Sequence, residues 1–324
     1  MSSMYEQEYD VAVEAVRKAS ALCRRVREDF EREEALTKAD RSPVTVADFG
    51  SQAVVLDALA RAFPDDPVVA EEDATALRGE EHAAIRRRVV ESVIAEAPHL
   101  DEHAVPAAID RGRHEGGMGR FWTLDPIDGT KGFIRGDQYA VALALIEDGR
   151  VVLGVLGCPN LPLDASDPSS AVGCLFAAIR GRGTRASALI GDEWSPVAVA
   201  AVTEPSAAVL CESMESGHTA HGASARIAET LGVQADPVRM DSQCKYAAVA
   251  RGEASIYLRL PTRADYQEKI WDHAAGAMVI EEAGGRVTDL SARPLDFSQG
   301  RTLSRNRGIV ATNGPLHPAV LAAL

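Results

Sequence analysis

Trp122-Thr-Leu-Asp125-Pro126-Ile127-Asp128-Gly129-Thr130-Lys131-Gly132 carries an apolar, β-rich run into a turn that bears two acids three residues apart. Pro126 fixes φ and Gly129 relieves the turn, so both carboxylates have a route to one side of the chain. Gly129 and Thr130 then open the next segment, where free backbone N–H groups at a helix start would bind phosphate. Hard oxygen ligands beside such a turn suit Mg²⁺. The plainer alternative for a bare D-x-x-D is an Asx-type turn with solvated carboxylates. The strand before it, the Gly-Thr after it and acids elsewhere in the chain favour a metal site.

Upstream of this stretch, residues 6–35 read as a long amphipathic helix, with Val11, Ala12, Ala15, Val16, Ala19, Leu22, Cys23 and Val26 at helical spacing. Residues 51–63 repeat the pattern until Pro64 ends it, Val68–Ala70 is a short buried strand, and residues 75–96 are one or two charged helices. Downstream, residues 121–125, 139–146 and 151–156 are strands, the last two joined by Asp148-Gly149, a pair that tolerates positive φ in a hairpin. Residues 173–180 and 196–201 extend the sheet. From about residue 203 strands (208–211, 237–240, 255–260, 308–312) alternate with helices (223–231, 244–251, 271–283), an α/β pattern. The expected division is an α+β metal-binding domain over residues 1–202 and an α/β domain over residues 203–324 that completes the site and the substrate pocket.

Three further acidic positions stand out. Glu71-Glu72-Asp73 follows the strand Val68–Ala70; acids there commonly just begin a helix, but an acid at the end of a buried strand is also well placed for a site. Asp48 stands at the front of the helix expected at 51–63, where a capping role is the ordinary one. Trp271-Asp272-His273-Ala-Ala-Gly276 opens a helix of small residues, where Asp272 is again an ordinary cap; no second His or Cys stands at a zinc-ligand spacing from His273.

The 324 residues carry 34 Lys and Arg against 48 Asp and Glu, a formal charge of −14. That balance argues against nucleic-acid polymers and anionic membranes as partners, while an acidic protein still binds anionic phosphate where divalent cations invert the local field. Five scattered cysteines without C-x-x-C spacing read as reduced, buried thiols. With no apolar leader and no run long enough to span a bilayer, the expectation is a complete, cytoplasmic protein.

Glu71-Glu72, Asp125-Pro-Ile-Asp128-Gly-Thr130 and Trp271-Asp272-x-Ala-Ala-Gly276, in that order, resemble the inositol monophosphatase superfamily over most of the chain. Within it the chain is most similar to the 3′(2′),5′-bisphosphate nucleotidases. This rests on Pro43-Val-Thr-Val-Ala-Asp48, Lys131-Gly-Phe-Ile-Arg-Gly-Asp-Gln-Tyr139, Gly157-Cys-Pro-Asn160, Asp241-Ser-Gln-x-Lys245-Tyr246, Tyr257-Leu-Arg-Leu-Pro261 and Tyr266-Gln-Glu-Lys-Ile-Trp-Asp-His273. The resemblance implies a layered α-β-α-β-α sandwich and two or three Mg²⁺ ions. Glu71, Asp125 and the Ile127 carbonyl would hold the first ion, and Asp125, Asp128 and Asp272 the second. Glu71 and Asp48 would flank a third through water. Asp48 and Thr130 would activate the attacking water, Gly129 and Thr130 N–H groups would hold the phosphate, and Ser242, Lys245, His221 and Arg259 would face the nucleotide. One departure is Gly217-His218-Thr219-Ala220-His221, where relatives tend to carry more hydroxyls before the histidine.

The implied activity is removal of the 3′(2′)-phosphate of adenosine 3′(2′),5′-bisphosphate, or of its sulfated form, by metal-activated water. An inositol phosphate or a specialised nucleotide is the alternative substrate, and a catalytically dead binding protein the alternative class. Phosphate monoester hydrolysis is slow enough uncatalysed to need up to about 10²¹-fold acceleration. No Ser-His-Asp set or reactive cysteine is evident, which leaves metal assistance as the economical route. Residues 131–138 are either a mobile lid beside the site or an ordinary surface loop.

Overall fold

The computed structural model describes residues 4–34, 42–167, 169–214, 221–263 and 265–324. Helix α1 (Glu6–Glu34) lays its apolar stripe, Ala12 to Val26, against α2 (Ser42–Ala62) and the sheet beneath both. α2 begins well before the expected start at residue 51. Pro43 falls in its first turn, where the missing N–H costs nothing, and Val46, Ala47 and Phe49 continue the buried stripe. Asp48 is therefore inside a helix, and the capping role is excluded.

The first sheet has seven strands in chain order: β1 (Val68–Ala70), β2 (Arg120–Asp128), β3 (Ala140–Glu147), β4 (Arg150–Pro162), β5 (Val172–Ile179), β6 (Thr184–Ala188) and β7 (Ser195–Val197). β1 runs parallel to β2, so its return needs a crossover, supplied by α3 (Ala83–Glu96) and α4 (Ala104–Asp110). The later strands are antiparallel, and the β3–β4 turn has φ of 48° at Asp148 and 76° at Gly149, as the sequence predicts. The second sheet contains β8 (Leu210–Glu212), β9 (Val238–Arg239), β10 (Ile256–Arg259), β11 (Arg286–Thr288) and β12 (Ile309–Thr312), ordered β11-β12-β10-β8-β9.

Period-two alternation sorts the side chains into layers. Trp122, Leu124, Val141, Leu143, Leu145 and Val155 face α1 and α2, while Phe121, Ala140, Ala142, Ala144, Leu156 and Phe176 face the other way. That second face packs on α7 (Cys244–Ala250) and α8 (Ala274–Glu282), which in turn meet Tyr257, Ile309 and Ala311 of the second sheet. The far side of that sheet, Leu210, Ile256, Leu258 and Val310, is covered by Ile227 of α6 (His221–Leu231) and Val320 of α9 (His317–Ala322). The result is the α-β-α-β-α sandwich. Each large side chain buried in these layers contributes about 1.5–3 kcal/mol. No helix among the described residues is long and apolar enough to cross a membrane.

Several elements differ from the sequence expectation. The strand expected at 196–201 is only Ser195–Val197, and β6, β11, α4 and α9 were not expected. The helix start expected at Gly129-Thr130 is present as a short helix, α5 (Thr130–Arg135), which takes up much of the 131–138 segment read as a lid or surface loop. All five cysteines are unpaired and buried, in line with expectation.

Candidate active site

In a regular strand, residues three apart point to opposite faces. β2 escapes this by a bulge: Asp125 lies opposite Ala142 and Asp128 opposite Ala140, so three steps on β2 match two on β3. Ala140 and Ala142 share the face toward α7 and α8, and the two acids are turned to that same side. Asp125 Oδ1 accepts the Ile127 N–H at 3.1 Å, and Ser51 Oγ donates to the Pro126 carbonyl at 2.9 Å, fixing the turn. Gly129, with φ of 89°, leads into α5.

The turn opens into a cleft of about 310 Å³ lined by Glu71, Asp125, Ile127, Asp128, Gly129, Thr130 and Asp272 at one end and by Ser242, Gln243, Lys245, Tyr257, Arg259 and Tyr266 at the other. Glu71 reaches it directly from β1. Its neighbour Asp73 does what acids at helix starts usually do, accepting the Thr75 N–H at 2.8 Å at the front of a short 3₁₀ turn. Gln52 of α2 pins the intervening Glu72 backbone from both sides, at 2.7 Å and 3.1 Å. Asp272 sits two residues before α8, whose first turn has no side-chain cap, so capping is excluded for it too. Asp48 is not among the residues lining the cleft; it is 8% exposed and within range of the Glu72 and Glu71 charges.

Burial and mutual repulsion raise these carboxyls together. Glu71 is pushed up to about 8, first by burial and then by the Asp272 charge. Asp272 is pushed up to about 6, chiefly by burial. Burial, then Glu71, holds Asp125 well above the carboxylate range, and burial, then Glu72, does the same for Asp48. Glu71 is reached by water through the open cleft although protein surrounds it on most sides, so solvent screens part of its effect.

Glu71 and Asp125 act on one another, Asp125 lowering the Glu71 pKa as a hydrogen-bonding partner and the Glu71 charge raising that of Asp125, and a shared proton or a cation between them would relieve that repulsion. An all-oxygen donor set with this charge fits a hard divalent ion. Among the described residues, the one group of three acid, histidine or cysteine side chains whose ligand atoms all lie within 4.8 Å of one another is Glu268, Asp272 and His273; Glu71, Asp125 and Asp128 line the same cleft as Asp272 without closing to that distance as a set. In that trio, however, Glu268 is already paired with Arg259 at 2.9 Å and hydrogen-bonded to His273 Nε2 at 3.0 Å, and His273 Nδ1 meets the Tyr246 hydroxyl at 2.8 Å, so these ligand atoms are already engaged.

The other end of the cleft is cationic. Lys245, 3% exposed, donates to the Ser242 carbonyl at 2.8 Å and lies 5.3 Å from the centre of the Tyr257 ring; burial lowers its pKa. Arg259 approaches Asp272 at 3.7 Å and donates to the Tyr266 hydroxyl at 3.2 Å. Ser242, with φ of 65°, abuts Gly129, and the Gln243 N–H donates to Asp128 at 2.6 Å. The side chain of His221 and the departure at 217–220 lie outside the described residues.

Gln243 was not singled out in the sequence, yet its side chain donates to the Trp271 carbonyl at 2.9 Å and accepts the Gly276 N–H at 3.0 Å, joining α7 to α8 under the cleft. Like Gln243, Tyr266 and Glu268 fall inside motifs of the family resemblance without a role of their own. Nothing local in the sequence shows that they face Arg259.

The model of the inositol monophosphatase family matches residues 4–324, and enzymes of that family are metal-dependent. A protein of Emericella nidulans named 3′(2′),5′-bisphosphate nucleotidase is 44% identical over 345 residues, covering 99% of this chain and 98% of its own length. One of the same name from Oryza sativa is 46% identical over 337 residues, covering 99% and 94%. Among solved structures, an inositol monophosphatase from Zymomonas mobilis matches with a TM-score of 0.65 at 20% identity, over 99% of this chain and 98% of that one. One from Anabaena (Nostoc) sp. PCC 7120 matches at 0.62 and 23% identity, over 98% and 94%. At those identities the likeness is one of fold.

Proposed function

The chain belongs to the inositol monophosphatase family, and from that premise we propose that it is a Mg²⁺-dependent phosphomonoesterase acting on nucleoside 3′(2′),5′-bisphosphates, with adenosine 3′(2′),5′-bisphosphate as the reference substrate. The observation that carries this is the two-ended cleft: acids at one end suit a metal-bound phosphate, and Lys245 and Arg259 at the other suit a second phosphate on the same small molecule. The near-full-length similarity to proteins named for that activity supports it.

Two or three Mg²⁺ ions held by Glu71, Asp125, Asp128, Asp272 and the Ile127 carbonyl would supply charge stabilisation and a more acidic bound water. The chain's own groups do the rest. The N–H groups of Gly129 and Thr130 hold the phosphate in line, and Asp48, through Glu71, and the Thr130 hydroxyl orient the attacking water. The water oxygen bonds to phosphorus and gives up its proton to solvent, the bond from phosphorus to the ribose oxygen breaks, and that oxygen leaves with the electron pair and takes a proton from solvent. Ser242, Lys245, Arg259 and His221 hold the nucleotide end.

The division near residue 202 is supported by where the sheets change, between Val197 and Leu210. It assigns most metal ligands to residues 1–202 and Asp272 with the nucleotide end to residues 203–324. Five unpaired thiols support a reducing, cytoplasmic setting.

The test is phosphate release with and without Mg²⁺ from adenosine 3′,5′-bisphosphate, inositol 1-phosphate and 5′-AMP in parallel. Mg²⁺-dependent release from the bisphosphate, well above the others, is expected. Release mainly from inositol 1-phosphate would keep the metal site and overturn the nucleotide end.

A further inference from the structure

Arg301 joins two parts of the acidic cluster that come from distant parts of the chain. Its segment runs beside the approach to Asp272: the Ile270 N–H donates to the Arg301 carbonyl at 3.2 Å, the Leu303 N–H donates to the Glu268 carbonyl at 2.8 Å, and Lys269 and Thr302 form an antiparallel bridge between them. From there the guanidinium crosses to the first sheet. Nη2 donates to the Ala70 carbonyl at 2.7 Å and Nη1 to the His114 carbonyl at 3.1 Å. Its carbon lies 4.8 Å from the Trp271 ring centre, with the Lys269 ammonium 5.6 Å from the same ring. Ala70 immediately precedes Glu71, and Trp271 immediately precedes Asp272.

We propose that Arg301 is a positioning residue for the divalent-cation site, setting the spacing of Glu71 and Asp272. This rests on the metal chemistry proposed above. Like charges in one cleft push apart, and a rigid fork with a flat, stackable face resists that where a point charge does not. The two carbonyls take the fork and the indole takes the face, so one planar cation fixes the residue before each acid. Lysine at 301 would keep a charge near Trp271 but lose the two-carbonyl grip.

The experiment compares wild type with Arg301→Lys in the full chain. Mn²⁺ is the probe, its free ion followed by electron paramagnetic resonance without substrate, and phosphate release is measured against Mg²⁺ concentration. Outer partners of metal ligands typically govern affinity by about 10–100-fold, so the Mn²⁺ Kd is expected to rise within that range, with kcat at saturating Mg²⁺ close to wild type. Lys269→Met, which leaves both carbonyl contacts intact, should bind Mn²⁺ as wild type does. In Arg301→Ala, added methylguanidinium should recover affinity, which loss of folding would not allow. If Arg301→Lys does not fold, Trp271→Leu, which removes the stacking face, should weaken Mn²⁺ in the same direction. Unchanged Mn²⁺ affinity in folded Arg301→Lys, or in folded Trp271→Leu where that variant replaces it, overturns the proposal. A lowered kcat at unchanged affinity does so as well. Wild type that binds Mn²⁺ but does not hydrolyse the bisphosphate would sink the substrate reading alone, and wild type that binds no Mn²⁺ would sink both.

Discussion

Gly129 lies so close to Ser242 that a side chain at 129 would place its Cβ 2.9 Å from the serine Cβ. Both residues have positive φ, 89° and 65°. The turn proposed to bind phosphate and the start of the proposed nucleotide end thus meet at a point with no room for one added carbon.

Gly129→Ala is therefore expected to fail twice. The left-handed backbone alone costs an alanine about 1–2 kcal/mol, and relief of the clash must move residues 129–130 or 241–242. A displacement of about 1 Å at a site of this kind costs roughly 10²-fold in rate. Urea denaturation and steady-state kinetics on the same sample check both figures; wild-type kcat would mean that the turn does not hold the reacting phosphate.

The acid cluster predicts a pH dependence that metal removes. Carboxyls raised in the folded chain, Glu71 to about 8 and Asp272 to about 6, keep protons that the unfolded chain releases near its ordinary range. The folded state then binds more protons than the unfolded one, so metal-free stability is greatest below that range and falls as pH rises from about 5 to about 8. A divalent cation favours the charged forms. The melting temperature of EDTA-treated protein should fall across that window, and the gain on adding Mg²⁺ should grow across it. Calorimetry at several pH values decides, and a gain independent of pH would put the ion elsewhere.

Much of this site was legible from residue type and order. Asp125-Pro-Ile-Asp128-Gly-Thr130 announces a turn with two acids, and β2 delivers both to one cleft. The sequence cannot show how: the bulge opposite Ala140 and Ala142 is a property of strand pairing. Asp48 and Asp272 looked like helix caps because helix starts were misplaced, α2 lying earlier and α8 later than their apolar patterns suggest. Short elements such as β11 and α9 carry too few residues to show a period. Gln243, Glu268 and Arg301 act through contacts with residues far away in sequence, which no local pattern records.

Asp125 is the most buried acid of the cleft, 2% exposed, and is proposed to touch two ions. Asp125→Ala should lower kcat by roughly three decades, equivalent to about 4 kcal/mol of lost charge stabilisation. Near-normal kcat at saturating Mg²⁺ would remove it from the metal site.

Lys245 tests the second phosphate. Its ammonium donates to the Ser242 carbonyl at 2.8 Å and, at the long end of the range, to the Met240 carbonyl at 3.5 Å, which leaves its third N–H for a ligand. Lys245→Met should raise KM for adenosine 3′,5′-bisphosphate by about tenfold, the equivalent of a lost charge-assisted hydrogen bond. It should change KM for 3′-AMP little. Equal effects on both would make Lys245 a support for the 240–242 backbone only.

Glu268 decides whether Arg259 belongs to substrate or to metal. Burial alone would raise the Glu268 carboxyl, but its hydrogen bond to His273 and the Arg259 charge hold it below its usual range. Arg259 stands between that carboxylate at 2.9 Å and Asp272 at 3.7 Å. Neutralising Glu268 shifts the balance toward Asp272, where the guanidinium competes with a cation for the same oxygens. Glu268→Gln should thus lower stability by about 3 kcal/mol, the cost of breaking a buried pair. It should also increase the Mg²⁺ needed for half-maximal rate and raise KM for the bisphosphate, as Arg259 leaves the nucleotide end. Denaturation together with Mg²⁺ and substrate titrations separates the effects. Lower stability with both titrations unchanged would confine Glu268 to holding the fold.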